Sequence, residues 1–484
     1  MPTGIKLFFC FCILCFSINV FSQNRRGPAD SRPERKPLIN EGIRGVNVVM
    51  GEPAESSIVA SIITEKNASF YIEYADTMQM SSMKTPMIKS IASEPVEVKI
   101  HGLNGNATYY YTIIYRFDGE SEFTRTEQSY FSTRKIAGAA FSFALQGDSH
   151  PERAGKMFSS ALYHRTIQAV STLHPDFYFM LGDDFSLDRL MNKNELSKGS
   201  VESVYQVQRN YWGKMGTNPP LFLVNGNHEQ AAKYLLDGSA NNAAVYAGNA
   251  RKKYFPLPSA DGFYTGDDSA VEHVGLLKDY YSFEWGNALF VVIDPYWHSS
   301  IAVDNQPNNS EPKPRKDPWL ITVGDEQYYW LKNTLEKSHA KYKFVFAHHV
   351  MGTGRGGIER ASFFEWGGYS QNGEYDFKKY RPNWELPIHQ LMVKNKVTIF
   401  FQGHDHIFAK QALDGLIYQT VPNPADDTET AFNKEAYRSG VILPNAGFLN
   451  VKVSANEVKV EYVRSYLPLG GLTNPPESYT YSIK

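Results

Sequence analysis

Five apolar runs between residues 140 and 410 each stop at a cluster of Asp, Asn or His. FSFALQGDSH ends in Asp148 and His150, DFYFMLGDD in Asp183 and Asp184, and LFLVNGNHEQ in Asn227, His228 and Glu229. YKFVFAHHV ends in His348 and His349, and VTIFFQGHDH in His404 and His406. These residue types hold cations and move protons. In extended backbone residues two apart face the same side, so His404 and His406 could address one ligand. Alone, such a pair is more often an ordinary turn. Five apolar runs ending this way are hard to explain by packing. Four of the five have a glycine just before the cluster, which lets the backbone turn sharply and approach a ligand.

The elements that must carry these tips follow from periodicity. From about residue 140 strand-like runs alternate with amphipathic stretches. YHRTIQAVSTL (163–173) and DEQYYWLKNTLEKS (325–338) have helical spacing, the latter with Leu331 and Leu335 four apart. Strand–helix alternation predicts an α/β catalytic domain over 140–484, and in such sheets ligands bind outside the carboxyl ends of the strands. Residues 40–135 read differently, as short alternating runs (SSIVASII, SFYIEYA, VEVKIHGL, TYYYTIIYRF) separated by turn residues. That pattern predicts an all-β antiparallel sandwich. GLNGNATYYYTIIYR resembles the fibronectin type III strand that carries a corner tyrosine, which would here be Tyr110. Three long excursions, 230–275, 295–322 and 350–385, are expected to shape a substrate pocket.

A formal net charge of −2 over 484 residues gives no nucleic-acid-binding signal. Lys6 followed by LFFCFCILCF and SINVFSQ reads as a secretory signal peptide over 1–22, cut after Ser22, and too short for a transmembrane helix. Residues 23–39 read as a flexible leader. The expected location is secreted or periplasmic. All three cysteines lie in the signal segment, so any metal site must use His, Asp, Glu and Asn.

The series GD-S-H, GD, GNHE, H and GHDH resembles the calcineurin-like metallophosphoesterase superfamily, and the preceding β-sandwich makes the layout similar to purple acid phosphatases. The resemblance implies a two-sheet sandwich flanked by helices and two divalent transition-metal ions (Zn, Mn or Fe) bridged by Asp183. One ion would also take Asp148, His150 and His406, and the other Asn227, His348 and His404. A metal-bridging hydroxide would attack the phosphate ester. His228 would act on the leaving oxygen, while Asp148 would orient as well as ligate. Purple acid phosphatases carry a metal-bound tyrosine where Ser186 stands and a glycine where His150 stands, so the resemblance implies a colourless centre with His150 as the replacement ligand. Arg355 in GTGRGGIER, and His349, are candidates for substrate binding. Asp184 and Asp188 read as supporting or helix-capping residues, Asp294 as structural, and His298 as a residue that could reach the pocket. The function expected is a secreted phosphomonoesterase; a phosphodiesterase with the same centre and a non-catalytic metal-containing binding protein are the alternatives.

Overall fold

The computed structural model describes residues 42–76, 82–213, 219–307, 317–351, 354–467 and 477–484. The expected signal segment and leader lie outside the described residues, as do Gly352 and Thr353 of GTGRGGIER. Among the described residues no helix is long and apolar enough to cross a membrane.

The N-terminal region is a β-sandwich. Strands Val46–Gly51, Ser57–Thr64 and Val96–His101 pair antiparallel in one sheet. Ala68–Asp76 and Thr108–Phe117 form the centre of the other. Ile58, Ile62, Phe70, Ile72, Tyr109 and Phe131 meet between the sheets. The corner tyrosine is Tyr109 rather than Tyr110: its buried hydroxyl accepts the Asn104 N–H at 2.8 Å, while Tyr110 is exposed on the opposite face. With a side-chain period of two, a one-residue error in a TYYY run exchanges inside for outside.

Ser57–Thr64 is buried along nearly its whole length because its second face meets the catalytic region. Val49 and Ile63 pack in one apolar cluster with Trp212 of helix Lys198–Gly213. Arg209 of that helix is fully buried and reaches into the sandwich. Its Nε donates to Asn47 Oδ1 at 2.9 Å, Nη1 to Ser61 Oγ at 2.9 Å and to Tyr254 O, and Nη2 to Ser61 O at 2.5 Å. Burial pulls the guanidinium down to about 9, which still leaves it charged at neutral pH. A buried charge is tolerable only where hydrogen bonds replace lost water, and here each guanidinium nitrogen donates to at least one neutral acceptor.

The catalytic region is two sheets stacked through aromatic side chains, with helices outside. In the first sheet Phe141–Gln146, Phe177–Met180 and Leu221–Leu223 run parallel, and Gly447–Val453 continues it antiparallel. In the second, Ala288–Val292, Tyr342–Phe346, Ile399–Gln402 and Leu416–Thr420 run parallel. Phe179 stacks on Phe346 across the sandwich at 4.2 Å, and Phe143 meets Phe290 edge-on at 5.1 Å. Each such pair adds about 0.5–1.5 kcal/mol to its area burial.

The two helices read from the sequence are present, as Ser160–Leu173 and Gly324–Lys337. The first buries Tyr163, Ile167 and Val170 against the first sheet; the second buries Tyr328, Leu331 and Leu335 against the other. Of the three excursions, 230–275 contributes helix Ala243–Tyr254 to the outer layer, and Gln230 at its start donates to Asp188 Oδ1 at 3.0 Å and Asn227 O at 2.9 Å. The other two send residues to the strand ends.

Candidate metal centre

Parallel pairing sets the carboxyl ends of the strands in each sheet on one edge, and the turns that follow bend sharply inward. His150, Asp183, His404 and His406 all have positive φ, between 48° and 68°. Such backbone is costly for residues with a Cβ and gathers where surrounding structure holds a site in place. The glycines are there for contact as well as for turning: a Cβ on Gly182 would stand 2.7 Å from Gly226 N, and one on Gly403 2.7 Å from Asp148 Oδ2.

The five tips converge. His348 Nε2 lies 3.0 Å from Asn227 Oδ1, 3.1 Å from Asp183 Oδ2, 3.2 Å from His404 Nδ1 and 3.7 Å from Asp148 Oδ1. On the other side, His406 Nε2 is 3.6 Å from Asp148 Oδ1 and His150 Nε2 is 3.8 Å from Asp183 Oδ2. Among the described residues four overlapping groups result, Asp148–His150–His406, Asp148–Asp183–His348, His150–Asp183–His228 and His348–His349–His404, each with ligand atoms within 4.8 Å of one another. All these residues except His228 are buried.

The donor set fits cations. Carboxylate, amide oxygen and imidazole nitrogen are lone-pair donors crowded into one space, and one imidazole N–H cannot satisfy four acceptors. Asp148 Oδ1, His150 Nε2 and His406 Nδ1 are buried without a hydrogen-bond partner among the described residues. Buried polar atoms are ordinarily paired, so acceptors left over together mark a place for positive charge. With no thiolate in the set, Zn, Mn and Fe suit it better than Cu(I) or an iron–sulfur cluster.

Supporting contacts fix which ring atom faces inward, as is usual for metal-binding histidines. His150 Nδ1 donates to Glu152 Oε1 at 2.9 Å, His348 Nδ1 to Leu181 O at 2.8 Å, and Asp304 Oδ2 stands 3.2 Å from His404 Nε2. The backbone N–H groups of His404 and His228 anchor Asp148 Oδ2 at 2.7 Å and Asp183 Oδ1 at 2.9 Å. His228 faces the cluster from the rim. Its Nδ1 lies 2.5 Å from Asp188 Oδ2, which Asn305 also contacts; its Nε2 lies 3.7 Å from Asp183 Oδ2 and 3.2 Å from Arg153 Nη2.

Charge sets the protonation states. Burial works to lower His348, but Asp183 and Asp148 outweigh it and raise the imidazole to about 10. For His228 burial is likewise outweighed, by Asp183 and Asp188, and the ring rises to about 9. Burial raises Asp183 less than His348 and His228 lower it, so it stays well below the usual carboxylate range. Burial carries Asp148 up to about 6 despite His348.

A metal ion must therefore expel the His348 proton. Below about pH 10 that group alone should make metal affinity rise about tenfold per pH unit, with one proton released per chain on loading. Calorimetric titration in buffers of different ionisation enthalpy reads this release. Affinity unchanged between pH 6 and 8 would contradict it.

Every ligand position expected from the sequence lies in the cluster, and His348, not His349, meets Asp183. His349 lies beside it: its Nδ1 is 3.1 Å from Tyr296 OH, its ring stacks on His404 at 4.5 Å, and a ligand atom of it lies within 4.8 Å of those of His348 and His404. Arg355 holds the turn after the last tip, donating to His404 O and, at 3.1 Å, to Asp405 Oδ1. Asp188 orients His228 and does not cap its helix, whose N-cap is Leu187. Asp184 accepts from Ser149 Oγ at 2.5 Å and Gln146 Nε2 at 2.8 Å. Asp294 caps a turn through the Tyr296 and Trp297 N–H groups, and His298 pairs with Asp279. The sequence reading missed Glu152, Arg153, Asp304 and Asn305. Glu152 and Arg153 are signalled by their place two and three residues after His150; nothing local marks the other two.

A buried His/Asp/Asn centre at the strand ends of a two-sheet α/β sandwich defines a metal-dependent phosphoester hydrolase. The calcineurin-like phosphoesterase model matches residues 141–408, and the chain belongs to that family. Its fold is similar to that of PhoD, with a TM-score of 0.59 at 16% identity over 94% of this chain and 91% of that one. It is also similar to purple acid phosphatase PPD1 from yellow lupin (Lupinus luteus) seeds, with a TM-score of 0.57 at 15% identity over 91% of this chain and 75% of that one. No curated protein matches the chain in sequence.

Proposed function

We propose that the chain is a secreted phosphomonoesterase holding two divalent transition-metal ions, with a fibronectin type III-like domain at residues 40–135 and the catalytic domain at 140–484. The position of Asp183 between His348 and His150 carries the reading: its Oδ2 is 3.1 Å from His348 Nε2 and 3.8 Å from His150 Nε2. Asp148, His150 and His406 would hold one ion, Asn227, His348 and His404 the other, and Asp183 both. Two such ions supply an activated water at neutral pH and positive charge for phosphoryl oxygens. Two dications outweigh the two carboxylates, an excess suited to a dianionic monoester.

The chain's own groups do the rest. Asp148 and Asp183, pinned by the His404 and His228 amides, fix the frame. His228, held by Asp188 with Nε2 inward, gives its proton to the leaving oxygen as the P–O bond breaks and water adds to phosphorus. His228→Ala should therefore slow alkyl phosphate hydrolysis by about 10²–10⁴-fold and p-nitrophenyl phosphate hydrolysis much less, because nitrophenolate leaves without protonation. Equal losses on the two substrates would remove His228 from this role.

Hydrolysis of p-nitrophenyl phosphate and bis(p-nitrophenyl) phosphate, side by side on protein loaded with Zn²⁺, Mn²⁺ or Fe²⁺, tests the proposal. Monoester preference is expected. Diester preference would make the chain a phosphodiesterase.

A further inference from the structure

Arg153 is an unusual neighbour for the leaving-group histidine. It lies on the single turn Pro151–Arg153 directly after His150, and its backbone N–H closes that turn on His150 O at 2.9 Å. The turn starts from left-handed backbone at His150, so the geometry that aims the His150 ring inward also delivers the arginine to the rim. Its Nη2 stands 3.2 Å from His228 Nε2. Nε is 3.3 Å from Glu152 Oε1, an oxygen already accepting from His150 at 2.9 Å, and Nη1 faces the weak acceptor Met157 Sδ at 3.6 Å. Among the described residues the guanidinium thus has only a shared carboxylate oxygen, and its remaining nitrogens face a thioether and an imidazole.

A guanidinium has five N–H donors in a planar fork suited to anionic oxygens, and those bonds are about twice as strong as neutral ones. The imidazole atom it meets is the one aimed at the reaction, since His228 Nδ1 is committed to Asp188 and Nε2 lies 3.7 Å from Asp183 Oδ2. Arg355 differs: its Nη1 is spent on His404 O and Asp405 Oδ1, holding the turn that carries two candidate ligands.

We infer that Arg153 is a substrate-binding residue whose Nη2–H donates to a non-ester oxygen of the phosphoryl group, beside the His228 Nε2–H that faces the ester oxygen. A phosphomonoester has three non-ester oxygens and a diester two, so a guanidinium beside the centre reads the additional anionic oxygen of the monoester. Arg153 then has two effects. It binds the terminal phosphate, and it leaves His228 Nε2 facing the ester oxygen. This rests on the phosphoesterase reading of the same centre and adds the residue that sets the preference for monoesters.

Binding of orthophosphate to the metal-loaded protein, measured by calorimetry, tests the assignment without turnover. Arg153→Ala should weaken orthophosphate about ten- to a hundredfold, with metal content unchanged. Arg153→Lys should recover part of the loss. In hydrolysis, Arg153→Ala should raise KM for p-nitrophenyl phosphate by a similar factor and leave KM for bis(p-nitrophenyl) phosphate within about twofold, so that the monoester-to-diester ratio of kcat/KM falls. Orthophosphate affinity within twofold of wild type, or equal losses on both esters, would overturn it. If the unaltered protein hydrolyses neither ester, the phosphoesterase reading fails by itself, while the orthophosphate comparison still decides whether Arg153 binds phosphate.

Discussion

Asp183→Ala yields a folded protein that no longer holds its full metal complement and no longer turns over phosphate esters. The residue stands between the two proposed ligand sets, with Oδ2 3.1 Å from His348 Nε2 and 3.8 Å from His150 Nε2. Its other oxygen accepts the His228 N–H at 2.9 Å, so the same carboxylate also places His228, the proposed proton donor. Neighbouring histidines hold it ionised in spite of burial. On the proposed two-ion reading, losing it removes a ligand from each ion together with that anchor. Metal-ion stabilisation of the transition state is worth several kcal/mol, and at 1.36 kcal/mol per tenfold the expected loss in kcat is about 10³-fold or more. Circular dichroism should match wild type while metal analysis falls toward one ion or none. A variant keeping a tenth of wild-type turnover with full metal content would contradict the bridging assignment.

Arg209→Ala should act far from the chemistry and cost about 3–5 kcal/mol of stability. The side chain makes three hydrogen bonds across the junction between β-sandwich and catalytic region, to Asn47 Oδ1, Ser61 Oγ and Ser61 O, and a fourth within the catalytic region to Tyr254 O. Truncation leaves buried acceptors unpaired at about 1–3 kcal/mol each, and opens a cavity. In a chain of this size, with unfolding entropy of about 2.1 cal/mol/K per residue, each kcal/mol lowers Tm by about 1 °C, so a fall of roughly 3–5 °C is expected. Turnover at a permissive temperature should be unchanged, since Arg209 touches none of the candidate ligands. A Tm within about 2 °C of wild type would mean that the junction does not depend on this network.

How much of this was legible in the sequence follows from what a linear pattern records. The five tips were readable because each sits where an apolar run ends, and parallel strands put such ends on one edge. The helices at Ser160–Leu173 and Gly324–Lys337 were readable from single-face burial. Tyr109 was not distinguished from Tyr110 because a run of tyrosines carries no phase. Asp304 and Asn305 were invisible because they meet His404 and Asp188 across about a hundred residues of chain, through a loop whose path depends on the packed whole. For Arg355, a candidate for substrate binding, the sequence does not reveal that its Nη1 meets Asp405 and the His404 carbonyl. Arg153 was passed over for the opposite reason, since an arginine in PER gives no sign that its neighbours leave its donors poorly matched.

The central claim is a two-ion phosphomonoesterase centre built on Asp183. Its most direct test is stepwise addition of Zn²⁺, Mn²⁺ or Fe²⁺ to metal-free protein, following p-nitrophenyl phosphate hydrolysis against ions bound per chain. The account predicts that activity reaches its plateau at two ions per chain. A plateau at one ion, or two bound ions without hydrolysis, would contradict it.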